Sequence, residues 1–371
     1  MCPPYIALSY AWDAGGPTSP VEVNGRMCQI SETIEQALRR LRHGRNKVYI
    51  WIDQICINEN DATEKTHQVQ QMWRIYSKAE RVVAWLGPFF PNSDKLFKHL
   101  QRMGRAALTR DWKTFLCLHR NRADLVVIKE GFRLFCQSHY WTRLSIMQEF
   151  SVANRLSIAC GECPIDWKTI EAALTTQELL EERMQIRQTK IKALHQKVVS
   201  IFYPPERSFL DNVITRRQSY GLLFHCEGNE RDYFFRVLVT SLVLEMDYNC
   251  PAATDHRDRV FALLHLAIDS GEFRMFPDYN KSCEEVYIET ALKFLKQGHV
   301  DILAYCQFPK KLKALPSWVP DWNMEVRNPC AQAPWFSRFS ASGRTQPTRS
   351  DSQASFGHLV LQGVPVDVVR E

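Results

Sequence analysis

Polar side chains that could do chemistry follow two short apolar segments near the N-terminus. Ser9, Tyr10 and Trp12 end one predicted strand, and Asp53 ends another. In open α/β sheets, ligands bind outside the carboxyl ends of the parallel strands. If these two strands are parallel, their polar ends lie at one edge of the sheet and form a candidate binding cleft. The alternative is that Asp53 orders its own loop by accepting backbone N–H hydrogen bonds.

Cysteines supply the other candidate chemistry, and each has a structural alternative. Cys160 and Cys163 form a lone CxxC pair around Gly161, whereas a structural zinc site needs four ligands. A turn is the better interpretation of this pair. Cys56 follows Asp53 closely, but the sequence positions no base beside it, so we interpret it as a buried, inert thiol. We therefore expect no metal site.

Short apolar segments that alternate with amphipathic ones must position these residues. Strands are predicted over residues 5–9, 47–52, 81–86 and 155–160, and a hairpin turns at Asn24-Gly25. Ser31 and Asp61 are typical helix N-caps, which predicts helices that reach about Arg42 and Ala79. This alternation favours an α/β fold with a mostly parallel, doubly wound sheet of the flavodoxin-like kind.

The second half of the chain has a different pattern. Helical periodicity runs over residues 167–200 and again over residues 207–307, whereas residues 308–355 are rich in Pro, Ser, Arg and Gln. We therefore predict an α/β domain at residues 1–165 and a mostly helical extension at residues 166–307. A Pro/Ser-rich segment with terminal strands then occupies residues 308–371, and its abrupt end leads us to expect a truncated chain.

Composition and charge exclude several classes of protein. The 371 residues are 45% hydrophobic and 24% charged, as in ordinary globular proteins. The net charge of +6 is spread out, and the densest basic stretch, Arg102 to Arg133, is interrupted by apolar residues at helical spacing. That spacing favours a solvated helix face over nucleic-acid binding. Without a signal sequence or a membrane-spanning segment, we expect a cytoplasmic protein with reduced thiols.

An ordered series of segments resembles the fungal heterokaryon-incompatibility (HET) domain family. Residues 7–12 are similar to its A-L-S-Y-x-W-G opening, and residues 51–58 to its W-I-D-x-I-C-I-N-Q element. Further likeness lies at residues 64–76, 82–87, 141–149, 255–264, 277–279 and 315–322. The resemblance therefore covers nearly the whole chain.

The resemblance implies a signalling or effector protein that triggers regulated cell death on non-self recognition, through self-association and protein partners. It also implies a core like that of Toll/interleukin-1 receptor (TIR) domains, some of which split NAD with a glutamate in a W-C-x-x-E segment. Ser145 and Glu149 have this spacing, with Ser145 in the place of the tryptophan. Glu149 is thus the candidate catalytic residue of an NAD glycohydrolase, with NAD as substrate and no cofactor required.

Glu149 also has a structural alternative. If residues 141–149 formed one helix, Trp141, Ser145 and Glu149 would share a face. The indole would then shield the carboxylate and raise its pKa, as acid/base or oxocarbenium-stabilising catalysis exploits. The alternative is an ion-paired glutamate with Arg143 as its partner. Because Ser145 stands where the family has a second Trp, the sequence favours this alternative and leaves enzyme activity open.

Overall fold

The fold is given by a computed structural model. It describes residues 3–11, 16–42, 44, 46–119, 121–175, 196, 198–222, 233–244 and 251–327. The chain forms two compact units, residues 1–221 and residues 222–371. The domain boundaries predicted at residues 165 and 307 stay a prediction. Trp12, residues 176–195 of the predicted long helix and the predicted terminal strands lie outside the described residues.

A mostly parallel sheet forms the centre of the first unit. The strands of this unit are β1 (Ile6–Tyr10), β2 (Thr18–Val23), β3 (Arg26–Ser31), β4 (Ile50–Trp51), β5 (Arg81–Trp85), β6 (Leu156–Cys160) and β7 (Cys163–Asp166). In the described residues the sheet has the order β4-β1-β5-β6-β7, with β7 alone antiparallel, while β2 and β3 form a separate hairpin. Without the hairpin and β7 this is the 2-1-3-4 order of flavodoxin-like sheets. The predicted α/β fold class is confirmed.

Helices connect the strands and cover the sheet. Those of the first unit are α1 (Glu32–Leu41), α2 (Asp53–Cys56), α3 (Ala62–Lys78), α4 (Ser93–Leu108), α5 (Trp112–Leu118), α6 (Arg122–Cys136), a 3₁₀ turn (His139–Thr142), α7 (Ser145–Ser151), α8 (Trp167–Leu174) and Ser208–Leu222. The Ser31 hydroxyl accepts from the backbone N–H of Ile34, and the Asp61 carboxylate accepts from the N–H groups of Thr63 and Glu64. Both predicted helix caps are confirmed.

Alternation along β1 sends its side chains to two different layers. Ile6, Leu8 and Tyr10 pack in one apolar core with Ile34 and Ala37 of α1. Ser9 points to the opposite face because successive side chains of a strand alternate. Helix α7 contacts β1 and β5, and α3 contacts α7. The carboxyl end of β1 is therefore where residues from both layers can meet.

Helices are the main regular structure in the described residues of the second unit, in line with the predicted helical region after the sheet. Its helices are Phe234–Leu242, Asp258–Phe261, Ser270–Phe273 and Cys283–Lys296, with 3₁₀ turns at Leu264–Leu266 and Val300–Tyr305 and a two-stranded parallel pair, Val243–Leu244 with Val326–Arg327. Buried phenylalanine rings at positions 234, 273 and 294 pack together in its core. No helix in the described part of the chain is long and apolar enough to cross a membrane.

Candidate functional site

The predicted cleft residues Ser9, Tyr10 and Asp53 lie together at the carboxyl ends of β1 and β4. The Tyr10 hydroxyl donates to Asp53 Oδ1 at 2.7 Å, and the same oxygen accepts from the backbone N–H of Gln54 at 2.8 Å. Asp53 is only 8% exposed and is the first residue of α2. Asp53 therefore orders its own loop and also reaches β1, and its role in ligand binding stays a prediction.

A second polar link joins β1 to the turn that precedes α7. The hydroxyl oxygens of Ser9 and Tyr140 are 2.7 Å apart and share a hydrogen bond in the buried layer. Next to this link, the guanidinium of Arg143 donates to the backbone carbonyl of Tyr10. The segment that leads into α7 is thus attached to the end of β1 at two neighbouring residues.

Glu149 lies on α7, in a run of buried residues, and is only 2% exposed. Burial raises its pKa to about 7, and the charge of Asp53 acts in the same direction. The charge of Arg143 and hydrogen bonds from the hydroxyls of Ser9 and Ser145 lower the pKa of Glu149. The contact with Ser145 is the weakest of these, because its oxygen forms no hydrogen bond of regular geometry with a described residue. Since Asp53, Arg143 and Ser9 all act on Glu149, the predicted catalytic and cleft residues converge on one polar cluster.

The single helix predicted to carry Trp141, Ser145 and Glu149 on one face is wrong. Residues 141–149 do not form one helix, because the 3₁₀ turn ends at Thr142 and Arg143 has an extended backbone. Trp141 is fully buried and its Nε1 donates to the carbonyl of Phe135 at 2.8 Å, so it belongs to the aromatic core. Helix α7, which carries Glu149, packs against β1, β5 and α3.

Two tyrosines complete the cluster and were not predicted as site residues. The Tyr76 hydroxyl donates to the carbonyl of Leu8 at 3.0 Å, and burial, followed by the charges of Glu149 and Asp53, raises its pKa. Burial also raises the pKa of Tyr140. Both phenols therefore stay neutral and can donate hydrogen bonds at physiological pH. For Tyr76, the signal in the sequence was a hydroxyl on the apolar face of a predicted helix, where it needs a hydrogen-bond partner.

The cluster combines groups that can bind a charged or sugar-like ligand and exchange protons with it. Asp53 and Glu149 supply carboxylates, Arg143 supplies a cation, and Ser9 and the tyrosines supply hydroxyls. A carboxyl group with a pKa near 7 can exchange a proton efficiently at neutral pH. In its ionised form, a poorly solvated carboxylate can stabilise positive charge that develops on a sugar ring. In the described residues, no group of three His, Cys, Asp or Glu side chains could hold a metal ion.

The cysteines occupy positions that serve structure. Cys160 and Cys163 face each other across the β6–β7 hairpin, and Gly161 turns the chain with φ of +52°. The predicted turn is confirmed. Cys56 is exposed, so the interpretation of a buried thiol is wrong: α2 is a single short turn at the edge of the sheet and leaves this residue uncovered. Partial burial of the thiol and the nearby Asp53 charge raise its pKa, which disfavours the thiolate.

A doubly wound sheet with buried polar groups gathered at its carboxyl edge defines an α/β domain with a candidate ligand site. Residues 5–149 match the family model of the heterokaryon incompatibility protein (HET) family. Residues 5–149 are thus similar to a HET domain, and the matched stretch contains every residue of the polar cluster described above.

One curated relative extends the likeness beyond this domain. Heterokaryon incompatibility protein 6, OR allele, of Neurospora crassa is 27% identical over 376 residues, which cover 87% of this chain and 54% of the relative. The chain thus spans about half the length of this relative. No solved structure matches the chain.

Proposed function

We propose that this chain acts in heterokaryon incompatibility and initiates regulated cell death on non-self recognition, through self-association and contacts with protein partners in the cytoplasm. The HET domain at residues 5–149 and the similarity to the Neurospora crassa incompatibility protein support this role. The buried polar cluster gives the domain a site whose integrity the role would require.

Expression of the full chain in a filamentous fungus tests the role. We expect growth arrest with the wild type and relief by Asp53→Ala, because this change removes the acceptor shared by Tyr10 and Gln54. Asp94→Ala, at an exposed position of α4, is the matched control and should stay toxic. Normal growth at a wild-type protein level confirmed by immunoblot, or equal toxicity of Asp53→Ala, would contradict the proposal.

A specific observation favours a molecular activity for the same domain, namely hydrolysis of NAD with Glu149 as the catalytic carboxylate. The observation is that Glu149, almost fully buried and with a pKa of about 7, meets Asp53, Ser9 and Arg143 at the carboxyl edge of the sheet. The flavodoxin-like strand order supports a core of the TIR kind, for which ligands bind at this edge.

The proposed reaction breaks the bond between the nicotinamide nitrogen and C1′ of the ribose. The bonding electron pair leaves with nicotinamide, and the ionised Glu149 carboxylate stabilises the positive charge that develops on the ribose. A water molecule then bonds to C1′ and gives up its proton to the carboxylate, from which the proton passes to solvent. In this proposal, Tyr10, Ser9 and Asp53 bind ribose hydroxyls at the strand ends.

Release of nicotinamide from NAD by the purified full chain tests the activity. Glu149→Gln keeps the shape of the side chain and removes its charge, so we expect the rate to fall by a factor of about 100 or more. Glu130→Gln, an exposed glutamate of α6, is the matched control and should keep the wild-type rate. Nicotinamide release that is absent from the wild type, or equal in Glu149→Gln, would exclude this mechanism and leave the incompatibility role standing.

A further inference from the structure

A cavity of about 300 Å³ lies between α4 and the start of α6, and it shares no residue with the polar cluster around Glu149. Helix α4 contributes Lys95, Lys98, His99 and Arg102 to its lining, and α6 contributes Asp124 among others. Cavities of this volume are at the lower end of the range that small-molecule ligands occupy. The cavity lies in the basic stretch that the composition singled out and that the proposed function does not use.

The cations of this cavity are aligned by helix geometry. Lys95, Lys98 and Arg102 are spaced by three and four residues, so they lie along one face of α4. All three are exposed, and none has an ion-pair partner among the residues that the structure describes. With the single carboxylate of Asp124, the lining carries three positive charges and one negative charge, a net charge of +2.

A buried imidazole in the same lining has an unused hydrogen-bonding atom. His99 is 8% exposed, stacks on Phe202 and meets the ring of His119 edge to face. Its Nε2 forms no hydrogen bond with any residue that the structure describes. Burial, followed by His119 and Arg102, lowers the pKa of His99 to about 4, so the ring is neutral at physiological pH.

The remaining wall of the cavity is largely apolar. Leu118 ends α5, and Val127 and Ile128 lie one turn into α6. The N-terminus of α6 also faces the cavity through Asn121, and helix N-termini favour anions. A ligand that fits has a compact anionic group for the α4 cations and an apolar or aromatic body for the α6 side.

We propose that this cavity binds a small phosphate monoester, with its phosphate between Lys95, Lys98 and Arg102 and its apolar or aromatic body against Val127 and Ile128. A phosphate monoester carries a charge of about −1.5 to −2 at pH 7, which complements the net charge of the lining.

Calorimetric titration of the full chain with adenosine 5′-monophosphate (AMP) and with phenyl phosphate tests this proposal. We expect saturable binding of at least one of them, with adenosine and inorganic phosphate each at least about tenfold weaker, because each retains only one part of the ligand. The double variant Lys98→Ala/Arg102→Ala should weaken the binding by at least about tenfold. Asp124→Asn should tighten it, because the change removes the one repulsive charge.

Two controls test whether a phosphate ester binds in this cavity and not elsewhere on the surface. Arg105→Ala removes an exposed cation of α4 that does not line the cavity, so binding should be unchanged. In the NMR spectrum of histidine-labelled protein, the signal that disappears in His99→Gln should shift on addition of the bound phosphate ester. Absence of saturable binding by both esters, or equal affinity of the double variant, Arg105→Ala and the wild type, would overturn the proposal.

Discussion

The hydroxyl of Tyr10 and the carboxylate of Asp53 are joined by a 2.7 Å hydrogen bond between residues 43 positions apart in the chain. The bond connects the ends of two adjacent parallel strands, β1 and β4, which pair over only two residues each. Beyond these two residue pairs, the side-chain hydrogen bond from Tyr10 to Asp53 connects the two strand ends, where backbone pairing between the strands has stopped. Two residues of the candidate site therefore also hold the ends of β1 and β4 together.

Loss of this hydrogen bond should destabilise the domain. We expect Tyr10→Phe to lower the free energy of unfolding by about 1–3 kcal/mol, because a buried carboxylate loses one of its donors. Urea denaturation followed by circular dichroism measures the change. Tyr49→Phe, at an exposed position before β4, is the control and should have little effect. A loss in Tyr10→Phe no larger than in this control would show that the bond contributes nothing.

The buried carboxyl of Glu149 should make stability depend on pH. Its pKa is raised from 4.5 to about 7, so the folded chain retains a proton that the unfolded chain releases between these values. The wild type should therefore lose stability relative to Glu149→Gln as pH rises from about 4.5 to 7, by about 3 kcal/mol in total. Below this window the difference between the two proteins should level off.

Denaturant unfolding of both proteins from pH 4 to pH 8 measures this difference. Glu130→Gln should not show it, since Arg133 lowers the pKa of this exposed glutamate. A difference between wild type and Glu149→Gln that stays constant over the whole pH range would show that Glu149 ionises normally in the folded chain.

The guanidinium of Arg217 binds the carboxyl end of α7. Arg217, on the helix Ser208–Leu222, donates to the carbonyl oxygens of Phe150, Ser151 and Ala153. Arg217→Met keeps much of the apolar stem but leaves these carbonyls without their donor, so we expect a loss of about 2–4 kcal/mol. Thermal and urea unfolding measure it, with the exposed neighbour Gln218→Ala as control. Stability equal to that of the control would contradict this role.

The β6–β7 turn should require glycine at position 161. Its φ of +52° is unfavourable for other residues, and an added Cβ would lie 2.7 Å from the ring of Phe89. We expect Gly161→Ala to destabilise the chain by about 1–3 kcal/mol. Gly271→Ala, where a Cβ meets nothing within 4 Å, should be neutral in the same unfolding experiment. A neutral Gly161→Ala would mean that the turn adjusts freely.

Local sequence signals predicted the elements well. Asn24 and Gly25 adopt the positive φ angles that the hairpin turn requires, and Ser31 and Asp61 cap their helices. Each of these signals depends on contacts within a few residues. The strand at residues 47–52 was predicted too long, since only Ile50 and Trp51 pair with β1 at the exposed edge of the sheet. An apolar pattern does not reveal how far a partner strand reaches.

The candidate site could be predicted only in part. Ser9, Tyr10, Asp53 and Glu149 were selected from strand ends and family resemblance, and the structure brings them together. The interruption of helical structure at Arg143 was not predictable from residue spacing, because residues 141, 145 and 149 also fit one continuous helix. The pairing of Ser9 with Tyr140 crosses 131 residues, and no local periodicity carries that information.

The pairing of Ser9 with Tyr140 also limits when the polar cluster can form during protein synthesis. Ser9 leaves the ribosome before Tyr140 and Glu149, which follow only after well over a hundred further residues have been added. Contacts of such long sequence separation are slow to form, because a large loop must close before they stabilise anything. The sheet can begin to assemble once β5 is synthesised, but the polar cluster cannot. A nascent chain stalled before residue 149 would therefore hold β1, β4 and β5 but lack Glu149, so the proposed NAD hydrolysis requires synthesis to continue through α7.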